Sequence, residues 1–168
     1  AEKTAFDAFH VERIEQLCAD HALFVSVVRH PLDVAISTKE FCDSMGMYPS
    51  VLHEYIKKYP QPIEAFAHSW LDVTRQIEAL CKRNTDTGII LRYEDLVASP
   101  ASTLRNLLEF LGEKYKPQIL DHGLSSTRQL GFGDHKSYSS REVHSASIDR
   151  WRTLPDFQVS SLAPHLNP

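Results

Sequence analysis

Glycine is scarce in this chain, and its distribution excludes one kind of site from the first 45 residues. All six glycines lie at Gly46 or later. A glycine-rich loop lets backbone N–H groups approach a phosphate closely, and it needs several glycines within a few residues. The first 45 residues therefore contain no glycine-rich phosphate loop.

Cysteine is also scarce and gives no sign of a disulfide framework or of a zinc site. Cys18, Cys42 and Cys81 are odd in number, widely spaced and set in apolar helical patterns. This pattern predicts three buried thiols in a reducing compartment. The lack of any Asn-x-Ser/Thr sequon also favours a cytoplasmic protein. The nine histidines are scattered without a His-x-x-x-His pair, so no metal site is expected.

Two further absences narrow the classes of partner. The chain has 18 basic and 22 acidic side chains, so it lacks the basic surplus of nucleic-acid-binding proteins. No apolar run approaches the roughly 18–20 residues that a membrane span requires. The length of 168 residues and the hydrophobic content of 42% suffice for one domain with a real core.

The most informative segment follows a short apolar run at residues 22–28, which predicts a buried strand. Arg29 ends this run, and Pro31 opens a helical pattern over 31–43 at a position where a first-turn proline is tolerated. The segment predicts a strand, a sharp turn and a helix, with an arginine beside the helix N-terminus. That arrangement suits a phosphate, and Ser37, two turns into the helix, adds a hydroxyl donor.

A second apolar strand is predicted over 89–93, where the sequence continues as Arg-Tyr-Glu-Asp-Leu into a helix over 101–112 closed by Gly112. Further helices are predicted over 6–20, 50–59 and 63–83. Strands that alternate with helices predict an α/β fold with a parallel sheet flanked by helices. Ligands bind outside the carboxyl ends of such strands, so Arg29 and Tyr93 are expected to face one crevice.

A third segment carries basic residues towards the C-terminus. Residues 131–136 read Gly-Phe-Gly-Asp-His-Lys, and residues 150–152 read Arg-Trp-Arg. The two glycines permit close approach of the backbone to a ligand. Lys136 is a candidate to neutralise phosphate oxygens, and His135, which titrates near neutral pH when unperturbed, is a candidate general base.

These three segments, in this order, resemble the sulfotransferases that use 3′-phosphoadenosine 5′-phosphosulfate (PAPS), in particular their bacterial branch. The Arg29-His30-Pro31-Leu32-Asp33-Val34 segment with Ser37 is similar to the family's 3′-phosphate-binding motif. Arg92-Tyr93-Glu94-Asp95-Leu96 followed by Pro100 is similar to its second recurring segment. The Gly-Asp-His-Lys and Arg-Trp-Arg segments are similar to its C-terminal end.

The resemblance implies a P-loop-like core that transfers a sulfuryl group from PAPS to an acceptor hydroxyl without a metal. It assigns Arg29 and Ser37 to the 3′-phosphate of the cofactor, with Tyr93, Lys136 and Arg150 as further cofactor-binding candidates. The acceptor is expected to be a small molecule, a carbohydrate or a carrier-bound metabolite. Asp33, Glu94 and Asp95 are interpreted as caps or braces.

One part of the family's pattern is missing. The family opens with a strand, a Gly/Ser/Thr-rich loop and a helix that cradle the 5′-phosphosulfate, and no segment here matches that loop. We therefore interpret residues 1–168 as the C-terminal portion of one larger sulfotransferase domain. Two alternatives stay open at this point: a non-catalytic nucleotide-binding or scaffold domain, and a P-loop kinase relative.

Overall fold

Two parallel strands form the sheet of this chain in the computed structural model, which describes residues 6–18, 21–124 and 145–166. β1 (Phe24–Val28) pairs with β2 (Gly88–Arg92), with Phe24 opposite Gly88 and Val28 opposite Arg92. The α-helices of the described ranges are α1 (Val11–Cys18), α2 (Pro31–Met45), α3 (His53–Lys58), α4 (Pro62–Arg83), α5 (Tyr93–Ala98), α6 (Pro100–Phe110) and α7 (Asp156–Leu162). Short 3-10 turns cover Phe6–His10, Ser50–Leu52, Pro117–Leu124, Arg150–Thr153 and Ala163–His165.

The connection between the strands runs through α2, α3 and α4, as parallel pairing demands, because parallel strands cannot be joined by a tight hairpin. The predicted α/β fold with a parallel sheet is therefore confirmed. The in-register pairing also sets the carboxyl ends of β1 and β2 side by side. Arg29 and Tyr93, which follow those ends, are brought to the same edge.

Local sequence accounts for the limits of α2. Pro31 occupies the first turn, where its missing N–H is not needed. The helix ends at Gly46, whose φ of 65° is in the left-handed region that glycine adopts without a Cβ clash. The helix runs to Met45, two residues beyond the predicted end, since the residues before Gly46 keep helical geometry up to the C-cap.

The main core lies between α2 and α4. Phe66 and Leu52 are each 1% exposed there, and Leu32 and Ala35 of α2 pack in the same cluster. A second, smaller cluster lies beneath one face of the sheet and consists of Val11, Ile77 and Leu80 with the partly buried Phe24 and Ile90. The long helix α4 contributes to both clusters, so it joins the sheet to α2.

The opposite face of β1 is open to solvent. Val25 and Val27 are 39% and 55% exposed, in alternation with the partly buried Phe24, Ser26 and Val28. Strands of parallel sheets are usually covered on both faces. The face that carries Val25 and Val27 is therefore an uncovered apolar surface in the described part of the chain.

Three local expectations need correction. The predicted helix over 6–20 is a 3-10 turn followed by α1, and Tyr93 begins α5 instead of ending β2. Cys42 is buried, whereas Cys18 and Cys81 are partly exposed, so the prediction of three buried thiols holds only for Cys42; all three are free.

Among the described helices, none has the length and apolar character of a membrane span.

Replacing Phe66 by alanine should lower the free energy of unfolding by about 3–5 kcal/mol, because it removes a fully buried ring and leaves a cavity between α2 and α4. Chemical denaturation of both variants measures the effect. Phe157→Ala is the matched control, since that ring is 77% exposed. Equal losses for the two variants would contradict the position of the core.

Candidate functional site

Arg29 is the centre of the candidate site, at the point where three parts of the chain meet. Its side chain is only 16% exposed. Nη2 donates a hydrogen bond to the backbone oxygen of Ser147 and lies 3.7 Å from Oδ2 of Asp33. The guanidinium carbon lies 5.2 Å from the centre of the Tyr93 ring, within range of a cation–π contact.

One nitrogen of Arg29 has no hydrogen-bond partner among the described residues. Nε is buried and makes no hydrogen bond within the described ranges. An unsatisfied buried donor costs about 1–3 kcal/mol, and more when it carries charge. The most direct way to satisfy it is an oxygen of a bound anion, because the guanidinium fork matches phosphate geometry.

The ends of the two strands are held together by a carboxylate. Oε1 of Glu94, in the first turn of α5, accepts a hydrogen bond of 2.8 Å from the backbone N–H of His30. Its other oxygen lies 3.9 Å from Nε of Arg92, a loose ion pair on an exposed arginine. Glu94 thus fixes the turn between β1 and α2, which sets the direction of the adjacent Arg29.

A single face of α2 carries three polar residues, two of which contact the C-terminal segment. Asp33, Ser37 and Glu40 are spaced i, i+4 and i+7, so they share one side of the helix. Asp33 binds the backbone of that segment, and Glu40 accepts a hydrogen bond from Nη2 of Arg150. Ser37 lies between these two contacts, and its hydroxyl has no hydrogen-bond partner in the part of the chain that the structure describes.

His30 closes the other side of the turn. Its ring stacks on Trp151 with centroids 5.3 Å apart, and its buried Nδ1 has no partner within the described residues. Burial lowers the pKa of His30, and this effect outweighs the opposite influence of the nearby Asp33, Glu94 and Asp149 carboxylates. The ring is therefore held in its neutral form more firmly than an exposed histidine.

The structure places Arg29 and Tyr93 in contact, and Arg150, in the 3-10 turn Arg150–Thr153, reaches Glu40 on the face of α2 that also carries Ser37. His135 and Lys136 lie outside the described residues. Sequence reasoning missed Glu40 and the contact between Asp33 and the C-terminal segment. The i, i+4, i+7 spacing with Asp33 and Ser37 was the available signal for Glu40, whereas the backbone partners of Asp33 leave no signal in the sequence.

Two observations concern other kinds of site in the described ranges, a metal site and a second crevice. No group of three or more His, Cys, Asp and Glu side chains there is arranged to hold a metal ion. An open crevice of about 870 Å³ lies between α4 and α7, lined among others by Tyr59, His68 and His165. Arg29, Ser37, Tyr93 and Arg150 do not line that crevice, so it is separate from the Arg29 site.

The stability of the chain should fall as the pH drops below about 6.5, the ordinary pKa of histidine. Unfolded His30 takes up a proton in that range, whereas folded His30 resists it because its pKa is lowered by burial. Burial also lowers the pKa of His68, which adds a slope of the same sign. Replacing His30 by phenylalanine keeps a ring against Trp151 and removes the titration, so the slope should become shallower.

Denaturation at pH values between 5 and 8 measures this slope. A His68→Phe variant should also reduce it, and the double variant should reduce it further. An unchanged pH dependence in His30→Phe would contradict the buried neutral state of His30.

Comparison with known proteins agrees with this geometry. The model of the Sulfotransferase family matches residues 1–117. The chain is 28% identical over 102 residues to 3-beta-hydroxysteroid sulfotransferase of Cavia porcellus, covering 60% of this chain and 34% of that protein. It is 30% identical over 113 residues to carbohydrate sulfotransferase 4 of Mus musculus, covering 65% and 29% respectively. The chain therefore spans about a third of the length of these relatives.

Two solved structures share the fold. The sulfotransferase domain from the curacin biosynthetic pathway has a TM-score of 0.66 at 20% identity, covering 98% of this chain and 61% of that one. The sulfotransferase domain from the Synechococcus PCC 7002 olefin synthase has a TM-score of 0.69 at 23% identity, covering 97% and 56%. The family match extends over more than half of the chain and includes Arg29, Ser37 and Tyr93, and the chain belongs to the sulfotransferase family.

Proposed function

We propose that this chain carries the 3′-phosphate-binding part of a domain that transfers a sulfuryl group from PAPS to an acceptor hydroxyl. The observation that carries the proposal is the nearly buried guanidinium of Arg29 with its unpartnered Nε at the carboxyl end of a parallel strand. A phosphate monoester would supply the missing acceptor. The family match favours sulfuryl transfer over the kinase alternative.

The hydrogen-bond donors of the site suit a phosphate, although carboxylates close to them reduce the positive charge of the site. The guanidinium of Arg29 has five N–H donors, and one of those on Nη2 binds the backbone oxygen of Ser147. The hydroxyl of Ser37, which has no partner among the described residues, lies on the adjoining face of α2, so it would donate a second hydrogen bond. Arg150 would have to bind the anion while it shares its fork with Glu40, which arginine can do because its donors point in two directions.

The transferring end of the cofactor would be bound elsewhere. PAPS supplies an activated sulfuryl group, and its 5′-phosphosulfate needs backbone N–H donors of the kind that a glycine-rich loop presents. We propose that a segment outside residues 1–168 supplies that loop. The short coverage of the relatives and the uncovered face at Val25 and Val27 support this, because further sheet and helix would cover that face.

The proposed reaction also needs a base and an acceptor. His135 is the proposed general base, which would take the proton of the acceptor hydroxyl, and Lys136 would neutralise cofactor oxygens. The matched relatives include proteins named for steroids and for carbohydrates. We therefore propose a small-molecule, carbohydrate or carrier-bound hydroxyl as the acceptor class, in a cytoplasmic protein.

Replacing Arg29 by alanine in the intact polypeptide that its gene encodes should weaken binding of adenosine 3′,5′-bisphosphate far more than binding of adenosine 5′-phosphate. A charge-assisted hydrogen bond to phosphate contributes about 1.5–3 kcal/mol, or roughly 10- to 150-fold in affinity. Ser37→Ala should act in the same direction with a smaller effect. Isothermal titration calorimetry with both nucleotides measures the difference.

Arg75→Ala is the matched control for this experiment, because Arg75 is exposed on α4 and the same charge is lost. It should leave both affinities nearly unchanged. An equal loss for the two nucleotides in Arg29→Ala would refute the assignment of Arg29 to the 3′-phosphate.

Residues 1–168 alone should show no measurable sulfation of a panel of phenols, alcohols and sugars with PAPS, whereas the intact polypeptide should turn over. Loss of one preorganised donor to the reacting group costs about 10²–10³-fold in rate, and here a whole loop of donors is proposed to lie outside the chain. Sulfation by the 168 residues would show that the phosphosulfate site is misplaced. Nucleotide binding without turnover by the intact polypeptide would favour the non-catalytic alternative.

A further inference from the structure

We infer that Asp33 is a positioning residue that fastens the C-terminal Asp149–Trp151 segment onto the 3′-phosphate site. The inference rests on the proposed function of that site. Asp33 is completely buried. Its Oδ2 accepts a hydrogen bond of 3.0 Å from the backbone N–H of Asp149, and its Oδ1 accepts one of 2.8 Å from that of Trp151. One carboxylate therefore binds two backbone donors more than a hundred residues away in the sequence.

This contact differs from the usual role of a carboxylate in a first helical turn. There, an acidic side chain commonly caps its own helix or offsets the helix dipole. The N-cap of α2 makes no side-chain hydrogen bond, and both oxygens of Asp33 are directed to the remote segment. The carboxylate is thus used for a tertiary connection, with Arg29 3.7 Å away as its counter-charge.

The remote segment has a backbone shape that suits this connection. Asp149 has a φ of 60°, and among non-glycine residues of the described ranges it alone has a positive φ. This bend lies directly between the two N–H groups that converge on Asp33, since it leads from Asp149 into the 3-10 turn at Arg150–Thr153. An uncommon backbone conformation is maintained when the surrounding contacts determine it, and the Asp33 carboxylate is the contact at this position.

The same segment carries the other groups of the site. Arg150 reaches Glu40 along α2, Trp151 stacks on His30, and the backbone of Ser147 accepts from Arg29. If the two hydrogen bonds of Asp33 are lost, the segment is no longer held on α2. Arg150 and the backbone oxygen of Ser147, which binds Arg29, then lose their fixed positions relative to Ser37. Recognition of the 3′-phosphate therefore depends on Asp33 although this side chain, as a carboxylate, would repel the phosphate itself.

Because of that repulsion, the two possible roles of Asp33 predict opposite changes in bisphosphate binding when its charge is removed. Asp33→Asn removes a negative charge beside Arg29 with almost no change of volume. If Asp33 is only a nearby charge, the variant should bind adenosine 3′,5′-bisphosphate more tightly. If Asp33 positions the segment, the preference for the bisphosphate over adenosine 5′-phosphate should fall by about tenfold. The two N–H groups bind different oxygens of Asp33, and in asparagine one of these oxygens is replaced by an NH₂ group that cannot accept.

The ratio of the two nucleotide affinities, measured on the intact polypeptide, is the readout. A general loss of folded protein lowers both affinities together and leaves the ratio unchanged. Asp43→Asn is the matched control: it makes the same change on the same helix, at a side chain that is 59% exposed and pairs with Lys39. Amide hydrogen exchange at Asp149 and Trp151 should accelerate in Asp33→Asn and stay slow in the control.

An unchanged or increased ratio, or unchanged exchange at the two amides, would overturn the inference. If Asp33→Asn does not fold, Asp33→Glu retains the charge and displaces the carboxylate by one methylene, and the ratio should still fall. A wild-type protein that shows no preference for the bisphosphate would refute the proposed function instead. The exchange experiment would then still decide whether Asp33 holds the segment.

Discussion

The parallel pairing of β1 with β2 is the constraint on which the rest of the site depends. Parallel strands put their carboxyl ends at one edge, and here the pairing of Val28 with Arg92 makes those ends neighbours. Arg29 and Tyr93 then lie in contact, although they belong to two separate segments of the sequence. The hydrogen bond from His30 to Glu94 additionally ties the turn after β1 to the first turn of α5, which follows β2. The direction of the Arg29 side chain follows from that double constraint.

The balance of charge around Arg29 determines how the proposed site would recognise an anion. Among the carboxylates near the two arginines in the described ranges, Asp33 binds backbone N–H groups, Glu40 binds Arg150, and Glu94 binds the backbone of His30. Their net effect on a phosphate is unfavourable, so affinity must come from directed hydrogen bonds. A site of this kind is sensitive to small displacements of its donors, and this makes the buried contacts of Asp33 matter for binding.

The sequence predicted those features of the fold that have a local cause. Pro31 marks the start of α2, Gly112 follows α6 with a φ of 70°, and the apolar spacing predicts α4 to within one residue. The short helix α5 was missed because Tyr93 continues an apolar run that is typical of a strand. Local pattern decides such elements only where tertiary packing does not override it.

The candidate site was predictable only in part, for a related reason. Arg29 and Ser37 belong to one local motif, and Tyr93 could be added from the rule that strand ends converge. The partners of Asp33 are separated from it by more than a hundred residues and are backbone groups, which carry no side-chain signature. The partial exposure of Cys18 and Cys81 escaped prediction too, since an apolar helical pattern does not state how much of each helix its neighbours cover.

The uncovered face of β1 connects the fold with the proposed division of the site. The contacts of Arg29 within the described ranges are made with Asp33 of α2, Tyr93 of α5 and the backbone of Ser147, whereas Val25 and Val27 are exposed. A two-stranded sheet is marginal by itself, and exposed valines contribute little to its stability. Covering both side chains would add hydrophobic stabilisation to the strand that ends at Arg29. A segment that supplied the proposed phosphosulfate loop and packed on this face would therefore also make the proposed 3′-phosphate site more rigid.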